Sequence, residues 1–184
     1  KTFPGGKPIT NIYDYTDNQA AFEAIFKDKL SDVRLADAGL GLVRDTRDDA
    51  FLPTRGGYAS IEGTVFAKPL GSEASFLQLF LRGSWTASVK YGNRFSSFLR
   101  IGAEEPFGST EIVPLSERFF AGGINTLRGF ARDSVGGREV VVVSTDQDGN
   151  PVETTYPVGG EALFLFNQDW SFPIWSSLRG ELFL

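Results

Sequence analysis

Leu77 to Val89 reads LQLFLRGSWTASV, and its alternation decides the fold class. Leu77, Leu79, Leu81, Gly83, Trp85, Ala87 and Val89 fall on one side. Gln78, Arg82, Ser84, Thr86 and Ser88 fall on the other, interrupted by Phe80. A period of two is the signature of a half-buried β-strand, because successive side chains point to opposite faces. Thirteen residues at a rise of about 3.3 Å would reach about 40 Å, longer than the usual globular strand of about 5–6 residues.

The same pattern recurs on both sides. Upstream, Ala36 to Thr46 is a weaker strand with Ala38, Leu40 and Leu42 together. Tyr58 to Ala67 sets Ala59, Ile61, Gly63, Val65 and Ala67 against Ser60, Glu62 and Thr64. Downstream, Tyr91-Gly92-Asn93-Arg94 predicts a hairpin turn. Phe95, Leu99, Ile101 and Ala103 then oppose Arg94, Ser96, Arg100 and Glu104. Near the end, Ala162, Phe164, Phe166, Trp170 and Phe172 oppose Leu163, Leu165, Asn167, Asp169 and Ser171. A turn is expected at Pro173 to Ser176. Leu178, Gly180, Leu182 and Leu184 then oppose Arg179 and Glu181. Asn18 to Leu30 is the exception. Phe22, Ile25, Phe26 and Leu30 lie on one helical face, and Thr16 with Gln19 suits a capping box.

Between Glu105 and Gly160 lies a long connection, of a length that is usually functional or disordered. Val140 to Val143 is a short apolar run within it, suited to a small hairpin turning at Asp148-Gly149-Asn150. Phe119 to Arg132, FFAGGINTLRGFAR, is its least strand-like apolar passage. Gly122 and Gly123 free the backbone, as does Gly129 beside Arg128.

Composition narrows the chemistry. The 184 residues are 41% hydrophobic and 14% aromatic, ample for a folded domain. A net charge of -5 without basic runs gives a nucleic-acid partner little support. Cysteine and histidine are both absent, which removes disulfides, thiolate metal sites and the commonest general base. No Ser has a His to activate it. Glu104 and Glu105 are neighbours on a strand and so point to opposite faces. Asp146, Asp148 and Asn150 lack the rest of a calcium loop. A non-enzymatic protein without metal or cofactor is expected.

No run of 18 apolar residues and no signal-peptide pattern occurs, and neither bears on membrane strands. Long strands, aromatics near strand ends (Trp85, Trp170, Phe172) and charges of both signs on the opposite faces favour a transmembrane antiparallel β-barrel. A soluble β-sandwich satisfies the same alternation. Six or seven strands can be counted, whereas single-chain bacterial barrels have at least eight. The expectation is therefore part of a larger all-β barrel.

RFFAGGINTLRGF, Arg118 to Phe130, resembles the sixth-extracellular-loop motif of the Omp85 superfamily of outer-membrane assembly and translocation proteins. RDTRDDAFLPTRGG, Arg44 to Gly57, is similar to the family's strand-turn-strand passage. GGEALFLFNQDWSFP, Gly159 to Pro173, resembles the strand after the loop, and Leu178 to Leu184 the start of the next. The resemblance implies that residues 1–184 are the carboxy-proximal part of a sixteen-stranded outer-membrane barrel without its POTRA domains. It implies a loop, about 105–160, folded back into the lumen. Insertion of β-barrel proteins into the outer membrane would be the function. Unfolded outer-membrane or secreted polypeptides would be the clients, with outer-membrane lipid and accessory assembly subunits as partners. A two-partner secretion translocator and a passive anchor are the alternatives within the membrane reading.

The resemblance also implies a latch between loop and inner wall, formed by Arg128, Gly129 and Phe130 with Gly122 and Gly123. A guanidinium suits a planar carboxylate acceptor. Candidate partners are Asp169, Glu181, Glu104, Glu62 and Glu161, with Asp169 or Glu181 favoured. Arg44, Asp45, Arg47, Asp48, Arg55 and Gly56 form a charged turn. It either holds its hairpin in register or is a solvated turn whose ion pairs contribute about 0–1 kcal/mol.

Overall fold

The computed structural model describes residues 33–145, 151–176 and 178–184. The predicted helix at Asn18 to Leu30 and the predicted turn at Asp148 to Asn150 lie outside the described residues. Six strands form one antiparallel sheet: β1 (Asp37–Asp45), β2 (Gly56–Phe66), β3 (Phe76–Ser88), β4 (Arg94–Pro106), β7 (Ala162–Trp175) and β8 (Leu178–Phe183). The short hairpin of β5 (Arg138–Thr145) and β6 (Pro151–Pro157) is a separate two-stranded sheet within the long connection.

The barrel expectation is corrected here. The strands run in the order β1-β2-β3-β4-β7-β8, with β1 and β8 at the two edges and no pairing between them. The sheet is neither closed nor strongly curled. Alternation reports only that one face is apolar and the other polar, and an open sheet meets that condition as well as a closed one. Closure needs a ladder between the first and last strands, which no side-chain pattern encodes. Among the described residues no helix is long and apolar enough to cross a membrane.

The registers stack residues into rows across the sheet. Glu62, Phe80 and Gly102 are consecutive partners on β2, β3 and β4. One row on, Ser60, Arg82, Arg100 and Leu165 align across β2 to β7. Farther along lie Thr86, Ser96, Asp169 and Phe183, across β3 to β8. All of these share the polar face, which the long connection overlies. The other face carries Leu40, Leu42, Ile61, Leu77, Leu79, Trp85, Phe164 and Phe166, all exposed. Polar contacts on it include the Ser97 hydroxyl donating to Gln168 Oε1 at 2.7 Å and the Trp170 indole donating to Asn93 Oδ1 at 3.0 Å.

Two turns differ from expectation. The β3–β4 turn is a 3-10 turn, Lys90–Gly92, with Tyr91 at φ 62°. The β7–β8 turn is tighter than the expected Pro173 to Ser176: β7 runs on to Trp175 through a register shift, and the turn begins at Ser176, at φ 46°. Proline interrupts a ladder only where its missing N–H is needed, and an irregularity absorbs that loss.

The buried apolar core is small and sits at one end of the sheet. Phe66 and Phe76 stack at 4.2 Å, joined by Ala74 and by Val113 from the connection. Phe76 is fully buried. Phe76→Ala should therefore lower unfolding stability by about 3–5 kcal/mol, as for other buried aromatic truncations. Denaturant unfolding of the wild type and the variant checks this.

Candidate functional site

The site lies on the polar face, where the tip of the long connection meets β7 and β8. The tip is built by local backbone bonding. Val135 N–H donates to the Ala121 carbonyl at 2.9 Å, and Gly123 N–H to Phe130 at 3.1 Å. The Thr126 hydroxyl bridges both ends of Gly122, accepting from its N–H at 2.9 Å and donating to its carbonyl at 2.8 Å. Gly122 is obligatory in this turn. Its φ is 118°, and an added Cβ would sit 2.3 Å from the Ala131 carbonyl oxygen.

This turn presents Arg128 to the sheet. Its Nη1 and Nη2 donate to Oδ1 and Oδ2 of Asp169, each at 3.3 Å. Its guanidinium carbon also lies 4.9 Å from the ring centroid of Phe183. Asp169 and Phe183 are direct register partners on β7 and β8, so one arginine spans two adjacent strands. Asn167, two residues before Asp169, donates to the Thr126 carbonyl at 2.9 Å and holds the tip a second time. Asp169 is 7% exposed, whereas the Arg128 side chain is 37% exposed. The carboxylate is thus the desolvated partner, and losing the arginine would strand it at a cost of about 1–3 kcal/mol. A cleft of about 350 Å³ opens beside the pair, bounded by Phe98, Arg100, Ile124, Phe130, Asn167 and Leu184.

Of the candidate carboxylates, Asp169 is the one that Arg128 reaches. Glu62 faces Arg82 at 3.7 Å. Glu104 is buried and accepts from Gln78 Nε2 at 2.7 Å. Glu161 accepts from Val113 N–H at 3.3 Å and lies 3.9 Å from Arg118. Glu181 is exposed opposite Ser171. Phe130 lines the cleft with more than half its surface exposed. Gly123 and Gly129 both have positive φ.

Phe183 and Asn167 were missed as site residues. The parity of β8 carries a signal for Phe183, since it alternates onto the side of Arg179 and Glu181. The parity of β7 places Asn167 beside Asp169.

The charged turn lies between β1 and β2 and is tied to the end of β3, where the Ser88 hydroxyl donates to the Thr54 carbonyl at 2.8 Å. Arg47 chelates Asp45, with Nε at 2.9 Å from Oδ1 and Nη2 at 2.7 Å from Oδ2, and its guanidinium lies 5.1 Å from the Tyr58 ring centroid. Asp48 accepts from the Thr54 hydroxyl and from the backbone N–H groups of Thr54 and Arg55. Asp49 accepts from the N–H groups of Phe51 and Leu52. Gly56 begins β2, and Arg44 and Arg55 project as exposed side chains.

The family model described as the Omp85 superfamily domain matches residues 8–184. A SAM50-like protein of Schizosaccharomyces pombe is 27% identical over 172 residues, covering 91% of this chain and 32% of that protein. The crystal structure of BamA from Haemophilus ducreyi lacking POTRA domains 1–3 superposes with a TM-score of 0.67 at 23% identity. It covers 80% of this chain and 28% of that one. The chain thus spans about a third of the curated relative it matches.

Asp48 and Asp49 should report the integrity of the charged turn. The hydroxyl and amide donors of Thr54 hold the Asp48 carboxyl well below the usual carboxylate range, and the Leu52 and Phe51 amides lower that of Asp49. Because both are depressed, their contribution is fully present above the unfolded value of about 3.9 and fades as pH falls below it. Carboxyl-carbon NMR titration should place both midpoints below that value, and Asp48→Asn should loosen the amides of Thr54 and Arg55.

Proposed function

This chain belongs to the Omp85 superfamily, and from that membership we propose that it is part of an outer-membrane protein that assembles other β-rich proteins into that membrane. The observation that carries the reading is the arginine of the family's loop motif, seated on the sheet in this chain by Asp169 and Phe183. Similarity to a SAM50-like protein and to the BamA fold supports the same reading.

The work is non-covalent handling of a polypeptide. Unfolded outer-membrane or secreted chains are the clients. They are guided by backbone pairing at strand edges, as in strand addition elsewhere. No bond is made or broken, and no cofactor enters. The exposed leucine, phenylalanine and tryptophan face suits outer-membrane lipid, because so much contiguous apolar surface is costly in water. Accessory assembly subunits are further partners. Arg128 and Asp169 act as a latch that keeps the connection folded over the polar face. Gly122, Gly123 and Gly129 supply the turn and Phe130 lines the cleft. The charged turn from Arg44 to Gly56, anchored by Arg47 on Asp45, holds β1 and β2 in register.

The test is replacement of the resident gene by Arg128→Ala, Asp169→Asn and the double variant. Each single variant should lower the steady-state amount of folded outer-membrane proteins, read by heat-modifiable gel mobility. The double variant should be no worse than either single one, because residues acting as one pair are non-additive. Wild-type amounts in all three would overturn the latch as a functional element.

A further inference from the structure

A second contact between connection and sheet lies at the base of the loop, away from Arg128. The two strands of that base cross where Phe119 and Gly160 exchange a pair of backbone hydrogen bonds, both 2.9 Å. Arg118 pins the crossing. Its Nε donates to the Val113 carbonyl at 2.9 Å and its Nη1 to the Val158 carbonyl at 3.2 Å. From this crossing the Phe119 ring points at the sheet and stacks on Phe80, with centroids 5.5 Å apart. Phe80 is the residue that interrupts the polar face of β3, and it is steadied by the Arg82 guanidinium 4.7 Å from its centroid. Arg82 in turn faces Glu62.

Phe119 can sit there because its neighbour on β4 has no side chain. Gly102 is the register partner of Phe80. A Cβ on Gly102 would lie 2.5 Å from Cζ, 2.7 Å from Cε2 and 2.8 Å from Cε1 of Phe119. These are the distal atoms of the ring, so the ring tip occupies the space a side chain at 102 would take. Gly102 has an ordinary strand φ and no turn requires it to be glycine. In mid-strand a glycine is a cost of its own, weakening the strand and packing nothing, and it often marks a close approach.

We propose that the Gly102 notch and the Phe119 ring form a positioning joint that sets the reach of the loop, so that Arg128 arrives on Asp169. The joint rests on the latch reading above and goes beyond it. It predicts that the tip is released by a change at Gly102, which is not part of the Arg128 contact. Phe119 is a positioning residue that acts through the chain between it and Arg128.

The experiment is hydrogen–deuterium exchange of residues 121–130, read by mass spectrometry on the full protein in detergent micelles. Gly102→Ala should raise exchange there about 5–30-fold, the factor that one or two kcal/mol of lost local stability represents. Gly63→Ala is the control, because that strand glycine has nothing within 4 Å of an added Cβ; it should leave the tip unchanged. Phe119→Leu in the Gly102→Ala background should restore protection, since leucine lacks the ring atoms that a methyl at 102 would strike. Equal effects of Gly102→Ala and Gly63→Ala, or no rescue by leucine, would overturn the joint. If exchange in β2 and β3 also rises, Phe119→Ala at intact Gly102 decides: faster tip exchange supports the joint and unchanged exchange overturns it. Arg128→Ala in the same assay separates the two ideas. Tip release by Arg128→Ala but not by Gly102→Ala removes the joint and keeps the latch, and release by neither removes both.

Discussion

The ladder between β4 and β7 is the constraint on which the rest depends. It pairs Arg94 through Ala103 with Ser171 through Ala162 without a shift. These strands are separated in sequence by the whole long connection, so the ladder fixes where both ends of that connection leave the sheet. Register in a sheet has a period of two, and a slip by one residue would turn Asp169 to the apolar face and bring Trp170 inward. The slip would put Trp170 among charged groups and pull the buried Asp169 carboxylate away from Arg128. The hydrophobic pattern and the polar contacts therefore enforce the same register, and this agreement gives the loop a fixed surface to fold on.

Given that register, the polar face is organised by rows. The Asp169–Phe183 row receives Arg128, and the Phe80–Gly102 row receives Phe119. The two contacts are of different kinds. The first is charge-assisted and bidentate, with the buried carboxylate as its costly partner. The second is a matter of shape, an aromatic ring in the space left by a glycine. Between them the tip is closed on itself by Thr126 and the positive-φ turn at Gly122. By contrast the apolar face has no protein cover among the described residues, and the cluster of buried apolar side chains lies at the Phe66–Phe76 end. A soluble sandwich would bury that face against a second sheet; among the described residues the second sheet is the β5–β6 hairpin of the connection.

How far the sequence could be read varies by element. The strand from Leu77 is legible because thirteen residues of alternation leave no competing period. Phe80 looked like a flaw in that alternation and is instead where the loop rests. At the end of β7 the turn is legible but its extent is not, because Pro173 is a strong turn signal locally and the ladder tolerates it through an irregularity. The choice between Asp169 and Glu181, the two favoured of five carboxylates, was not legible, since parity places all the strand candidates on the same face. Only the register and the path of the loop single one out. The significance of Gly102 was likewise hidden, because a strand glycine gives no hint of the ring above it.

Sequence alone determined the all-β character, the division of each strand into an apolar and a polar side, the family resemblance carried by the loop motif, and the absence of histidine and cysteine chemistry. These are local or compositional properties, set by residue type and spacing along one segment. Tertiary structure decided the open order of the sheet, the partner of Arg128, the contribution of Phe183 and the seat of Phe119 over Gly102. Each of these joins segments that are apart in the sequence and depends on which backbone groups pair. Side-chain alternation states which face a residue takes; it carries no information on which residue of another segment will stand opposite it.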